Sequence, residues 1–567
     1  MLLAVVISAV AMGAYMFFAR MFFPPPPEPA PQTIEQPAAG LQAAEGQADA
    51  PAAASEPVPA AGESAAPQPA APAQDIVAES EQSIVIETAT FVATFSNRGA
   101  VATSWTLKNY EDAKGGPLDL IHKQAASEFG YPFALALAGG KPIGGLDTAL
   151  FTVTEGPERR AAPADLVFEY TSGGLGVSKS FHFEHEGYLF KVETKVAENG
   201  RPVDHFITWN SAFGDTAQLQ DAAYSNTYFY DAAARSLTRN HGGSATEARI
   251  PNSGEYLYAG IEDLFFAAAF LPPDGPAPID LETAAAQVET APETKEPFAA
   301  LSIGGSSKNN YDVFVGPKNL ELLGNVRPEL RDIVDFGWFG IIAEPLLYML
   351  RWTHENVVAN WGWSIILVTL FINVAMFPLK MKSSRSMKKM QSLQPLVKQI
   401  NEKYKGLGMR DPKKAEQNQE MMDLYKKYGV NPMGGCFPML LQMPFLFAFY
   451  KLLTVCIELR HAPWLWVADL SAPEQIAIRV LPLAMIASQF VQQAMTPTPT
   501  VDPAQARMMK FMPLVFGFIF YGLSSGLVLY WLTSNLVGIL QQFIINRLPG
   551  DEIVIEQPAR SRRKKKS

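Results

Sequence analysis

Cysteine is nearly missing from this chain, with two in 567 residues. Cys436 and Cys456 share one apolar stretch, and on a helix their separation is about 30 Å, too far for a disulfide. Both read as small buried hydrophobes. The first half has no cysteine at all, so redox chemistry says nothing about its compartment. Basic charge is scarce there too. Residues 1–335 hold 20 Lys/Arg against 42 Asp/Glu, whereas residues 336–567 hold 26 against 14. Such a split suggests two compartments or two kinds of partner. Catalytic motifs are also lacking. His182-x-x-His185 looks like a metal pair, but residues i and i+3 of a strand point to opposite faces. Gly139-Gly140-Lys141-Pro142 lacks the complete phosphate-loop pattern. Nothing therefore suggests ATP hydrolysis, a metal, a cofactor or an enzyme. No repeat relates the apolar segments, as a solute transporter built from two halves would show.

What the chain does have is apolar length. Its mean hydropathy is +0.03. Leu2 to Ala19 carries no charge, is long enough to span a bilayer, and lacks both a basic leader and a small-residue cleavage site. It reads as a retained anchor, residues 1–23. Residues 24–82 are rich in Pro, Ala, Gln and Glu, open with four prolines at 24–27, and read as an extended linker. From Ser83 the pattern alternates, as in Ile84, Ile86, Phe91, Ala93 and Phe95, with Asn97-Arg98-Gly99 as a turn. Leu166–Tyr170 and Tyr188–Val192 also read as strands. The region 83–325 is expected to be one all-β sandwich.

Residues 336–356 are aromatic but carry Glu344, Pro345 and Arg351, and read as an interfacial helix lying along the membrane. Five apolar segments follow, at 361–379, 436–457, 476–495, 508–523 and 527–542. The expected fold is a membrane α-helical bundle of six spans, five of them forming a core at 357–546, plus the β sandwich outside the membrane. The connection 380–428 holds 13 Lys/Arg against 5 Asp/Glu, and the tail 547–567 holds 7 against 3. The positive-inside rule places both in the cytoplasm. Both termini are then cytoplasmic, and residues 24–356 lie on the other side.

The connection 380–428 is itself patterned. Met387, Met390, Leu393, Val397, Ile400 and Tyr404 recur at helical spacing, Gly406-Leu407-Gly408 ends that helix, and Asp411-Pro412 starts another. Met421, Met422 and Tyr425 lie on the second helix, and Gly429 suits its C-terminal cap. This is a helical hairpin. Its methionines fit packing of the two helices on each other, or an adaptable surface for apolar segments. Within the spans, polar but uncharged residues accumulate. Thr369 and Asn373 share a helix face. Gln442 lies on the next span, Ser488, Gln489, Gln492 and Gln493 on the one after, and Thr533, Ser534 and Asn535 on the last. One such residue would be interhelical glue. A set spread over four helices points to a hydrated cavity. Lys451 and Glu458 fall on one face and read as a structural pair or as interface snorkelling.

Gly434-Gly435-Cys436-Phe437-Pro438, Leu441-Gln442-Met443-Pro444, Trp361-Gly362-Trp363-Ser364, Glu458-Leu459-Arg460-His461-Ala462-Pro463 and Ser525-Gly526-Leu527-Val528-Leu529-Tyr530-Trp531 closely resemble the YidC-type membrane protein insertases, in the Gram-negative form with a large periplasmic domain. The resemblance implies a chaperone and insertase of the bacterial inner membrane that works without nucleotide hydrolysis. It implies a hydrophilic groove open to cytoplasm and lipid, with Thr369 and Trp531 facing each other and Gln442 and Asn373 at groove positions; the polar residues Ser488, Gln489 and Asn535 are expected to join them. Nascent membrane proteins are the implied substrates, received by the hairpin methionines Met387, Met390, Met421 and Met422. The ribosome is the implied partner of the basic tail and hairpin, and the Sec translocon and the lipid bilayer are further implied partners. One departure stands out. The family usually carries a basic residue, typically Arg, where this chain has Asn373. Lys380 and Lys382, about 10–14 Å further along the helix, are expected to supply positive potential at the groove mouth.

Overall fold

The computed structural model describes residues 75–112, 115–215, 225–242, 248–291, 294–406, 411–430, 437–496 and 503–548. The expected anchor 1–23, most of the linker 24–82, Cys436 and the tail beyond residue 548 lie outside the described residues.

Alternation builds the first half. In Ser83–Glu87 and Phe91–Ser96 every second side chain is buried, and the two strands pair antiparallel. With Val101–Glu111, Pro117–Asp119 and Arg159–Ala161 they make a five-stranded sheet, which faces a 15-stranded sheet. Aromatic rings fill the space between. Phe95 lies 4.8 Å from Phe181 and Trp105 lies 5.0 Å from Phe190, centroid to centroid. Such ring pairs add to the burial of their area. The turn at Gly99 and Ala100 has positive φ at both residues. It is pinned from below by the buried Lys179, whose Nζ donates to Gly99 O at 2.8 Å, Ala100 O at 2.9 Å and Phe133 O at 2.9 Å. Burial pushes the Lys179 ammonium down to about 7. His182 and His185 do not converge. His182 binds Asp165 and Glu184, while His185 binds the Ala162 carbonyl, and among the described residues no cluster could hold a metal.

The last strand, Lys308–Pro317, leads into the helical half. Numbering the α-helices along the chain, α1 is Lys123–Phe129, α2 Leu320–Val326, α3 Gly340–Asn356, α4 Trp361–Ser392, α5 Gln394–Lys403, α6 Lys413–Lys427, α7 Phe437–Val455, α8 Val480–Met495, α9 Pro503–Phe520 and α10 Ser525–Arg547. By length and composition α4 and α10 can cross a membrane, and α8 is a shorter apolar helix. Helix α10 packs between α4 and α8, α9 packs on α8, and α7 packs on α3.

Three expectations are corrected. The segment 380–392 is not a separate hairpin helix, because α4 runs on through it to Ser392. The break falls at Leu393, where Pro395, in the first turn of α5, has no amide hydrogen to continue the ladder. The span expected from Ile476 becomes helical only at Val480, where the Glu474 carboxylate accepts the Leu481 amide at 2.9 Å. Lys451 and Glu458 do not pair with each other. Helix α7 ends between them, so Lys451 reaches Asp335 at 3.5 Å, and Glu458 binds Arg351 and accepts from Asn319 Nδ2 at 2.9 Å. The Asn319–Glu458 contact and the buried Arg460–Asp215 pair join the end of the β half to the loop after α7.

Candidate functional site

Hydrogen bonds between helices set the direction of the core. Asn373 meets Ser534 and Gln541, and Lys388 Nζ donates to Ile545 O at 2.7 Å. Helices α4 and α10 are therefore parallel. Asn535 on α10 reaches Ser488 and Gln489 on α8, and Asn546 reaches Met495 O, so α8 runs the same way. Helix α7 runs against them, since Trp464, in the loop beyond its end, lies 5.7 Å from Trp363 in the first turn of α4, ring to ring. Close approach needs small residues. A Cβ on Gly538 would lie 2.3 Å from Gln492 Nε2, and one on Gly517 would lie 2.3 Å from Ile486.

These helices enclose a cavity of about 510 Å³. Its polar lining is Lys380 from α4, Gln442 from α7, Gln489, Gln492 and Gln493 from α8, and Ser534 and Asn535 from α10. Lys380, Gln442 and the three glutamines of α8 lie toward the hairpin end of their helices, and Ser534 and Asn535 near the middle of α10. The opposite end is lined by apolar and aromatic side chains of α7, α9 and α10. Asn535 Nδ2 donates to Ser488 Oγ and to Gln489 Oε1, both at 3.0 Å, and Gln489 Oε1 also accepts from Trp531 Nε1 at 2.9 Å. Gln442 Nε2 donates to the Tyr530 hydroxyl at 3.1 Å, and that ring stacks on Phe449 at 4.2 Å.

Asn373 is buried beside the cavity. Its Nδ2 donates to Thr369 O at 2.9 Å, and its Oδ1 accepts from Lys380 Nζ at 2.7 Å. The lysine thus reaches back by seven residues, from below Pro378, to put its ammonium at the depth of Asn373.

The sequence-predicted residues divide accordingly. Lys380, Gln442, Gln489, Trp531 and Asn535 line one cavity, and Ser488 and Asn373 bond to its lining. Three placements differ from expectation. Thr369 is fully buried, and its hydroxyl donates to Ile365 O of its own helix at 2.6 Å. It does not face Trp531, which packs on Phe516 and Phe520 of α9. Lys382 is exposed and outside the lining, because two residues along a helix turn a side chain to another face. Met390 is no open surface: it is buried at the hairpin base with Leu393 and Val430, whereas Met387 and Met421 are half-buried and Met422 is exposed. The sequence reading has Tyr530 only as part of a motif and omits Gln541, whose Nε2 donates to Asn373 O at 2.8 Å. Trp531, Ser534, Gly538 and Gln541 recur at helical spacing, a signal that could have found the latter.

Known proteins share this arrangement in sequence. A family model described as "YidC periplasmic domain" matches residues 83–349, and one described as "60Kd inner membrane protein" matches residues 352–551. The "Membrane protein insertase YidC" of Pelobacter propionicus is 34% identical over 97% of this chain and 99% of its own. The protein of that name from Ralstonia nicotianae is 32% identical over 87% of this chain and 88% of its own. Among solved structures, "Active YidC insertase crystal structure with the first transmembrane domain resolved" aligns with 82% of this chain and 94% of that one, at 19% identity and a TM-score of 0.34. By nearly full-length identity to these relatives, the chain belongs to the YidC family of membrane protein insertases.

Proposed function

We propose that this chain inserts proteins into the bacterial inner membrane, and that the cavity between α4, α7, α8, α9 and α10 takes the polar segment of the substrate while its apolar segment enters lipid. The observation that carries this reading is the Lys380 ammonium, held at Asn373 inside a cavity whose polar lining is otherwise uncharged among the described residues. One charged residue at the bilayer centre costs about 2.5–3.5 kcal/mol. A tail with two charges then faces about 5–7 kcal/mol, a factor of about 10⁴–10⁵ in rate. Amide and hydroxyl dipoles lower that barrier, and an ammonium among them favours an acidic tail. Burial of the substrate's apolar helix supplies the downhill drive, so no nucleotide is hydrolysed.

In this reading six spans cross the membrane, both termini are cytoplasmic, and residues 24–356 are periplasmic, which the distribution of Lys and Arg supports. The hairpin and basic tail then meet the ribosome, with Met387, Met421 and Met422 offering flexible apolar contact to nascent chains. Chaperoning beside the Sec translocon uses the same groove.

Insertion of a substrate with an acidic tail is the test. Lys380→Gln and Asn373→Leu should each slow it at least tenfold, Lys380→Arg should retain it, and Lys382→Gln should leave it unchanged. Normal insertion by both Lys380→Gln and Asn373→Leu would sink the groove reading. Photocrosslinks to nascent chains from Gln442, and none from exposed Lys382, are the expected companion result.

A further inference from the structure

The cavity is amphiphilic along its length. Lys380, Gln489, Gln492 and Gln493 line the hairpin end and Ser534 and Asn535 the middle, while Leu446, Phe447, Phe516, Phe520, Leu523 and Leu527 line the other end. Among the described lining residues Lys380 is the only charged side chain, with no Asp or Glu to balance it. Helix α7 packs on α3 and α9 packs on α8, leaving no close α7–α9 pair among the described residues. The apolar half of the cavity lies between those two helices. Its volume of about 510 Å³ falls in the range of ligand-sized cavities, about 300–1,000 Å³. One end therefore suits an anionic, hydrogen-bonding head and the other an alkyl chain.

We propose that the resting cavity is a binding site for one anionic phospholipid, with its phosphate at Lys380 and an acyl chain between α7 and α9. The site is independent of the insertion reading, because it rests on the lining alone and exists with no nascent chain present. A phosphate accepts hydrogen bonds from the ammonium and from the glutamine and asparagine amides. The acyl chain covers phenylalanine and leucine faces that polar groups cannot. A neutral or zwitterionic head offers Lys380 less, by about fivefold in affinity for one cation near a lipid surface.

The test uses the full-length protein in neutral detergent, titrated with phosphatidylglycerol or phosphatidylcholine brominated on the acyl chains. Tryptophan fluorescence is read, and the Trp531 contribution is isolated by difference from Trp531→Phe. Trp531 should be half-quenched at about fivefold less phosphatidylglycerol than phosphatidylcholine. Lys380→Arg should keep that preference, Lys380→Gln should abolish it, and glycerol phosphate, a head without a chain, should not displace the lipid. Equal titration by the two lipids, an unchanged preference in Lys380→Gln, displacement by glycerol phosphate alone, or no quenching of Trp531 would each overturn the proposal. Insertion measured separately keeps the two readings apart, since a protein can insert substrates with no lipid in the cavity.

Discussion

The β half and the helical core both bury polar groups, but they differ in how they treat charge. The β half rests Lys179 on backbone carbonyls, yet around Glu262 and Asp215 it sets opposite charges against each other. Glu262, 1% exposed, binds Lys318 at 3.0 Å and Arg239 at 2.9 Å, and Asp215 holds Arg460. In each cluster a carboxylate directly faces its cations. Around the cavity the buried polar groups are mostly amides and hydroxyls, and Lys380, the one cation among its described lining residues, rests on an asparagine oxygen rather than a carboxylate. A paired charge is satisfied and closed to outsiders. A cation held by a neutral dipole keeps its field available to an incoming anion.

The comparison can be broken at its strongest point first. Glu262→Ala leaves Lys318 and Arg239 without their buried carboxylate, and should cost about 3–5 kcal/mol, read as a lower denaturant midpoint by near-ultraviolet circular dichroism. A second probe sits in the same half. Because Lys179 titrates near 7 when folded and near 10.4 when unfolded, the unfolded chain binds the extra proton between those values. Stability should therefore rise with pH across that window, by up to about 1.4 kcal/mol per pH unit, and Lys179→Met should flatten the rise. Where the loop after α7 meets the core, Gly362→Ala would place a Cβ 2.2 Å from Trp464. Overpacking of this kind should cost about 1–3 kcal/mol, seen in thermal melts. The smallest change in stability is expected in the cavity. Asn535→Leu removes hydrogen bonds worth about 0.6 kcal/mol each in a membrane bundle, so its melt should barely move while insertion of acidic-tailed substrates slows. An Asn535→Leu protein that unfolds early would erase the contrast between the two halves.

Much of this was legible in the sequence, for identifiable reasons. Strand alternation at Ile84, Ile86, Phe91 and Phe95 is a local pattern, and burial follows it directly. The polar residues of α8 and α10 stood out because polar side chains are costly in apolar runs. Pairings across long sequence distances were not legible. Glu458 finds Arg351 and Asn319 rather than Lys451, because the end of α7 turns the two residues apart. The extension of α4 to Ser392 was hidden by a basic composition that looked like a new element.

By itself the sequence determined the division into an acidic β half and a basic helical half, the family, and the surplus of uncharged polar residues in the core. The division and the polar surplus follow from composition and periodicity, and the family from the resemblance of short motifs, none of which needs a partner in space. Only the tertiary structure decided which polar residues share a cavity. Lys380 and Lys382 are indistinguishable in a list of charges, yet one reaches Asn373 and the other points away. The reason is geometric. Two residues turn a helical side chain by about 200°, whereas seven residues return it to the same face, so position on the helix rather than charge placed the cation.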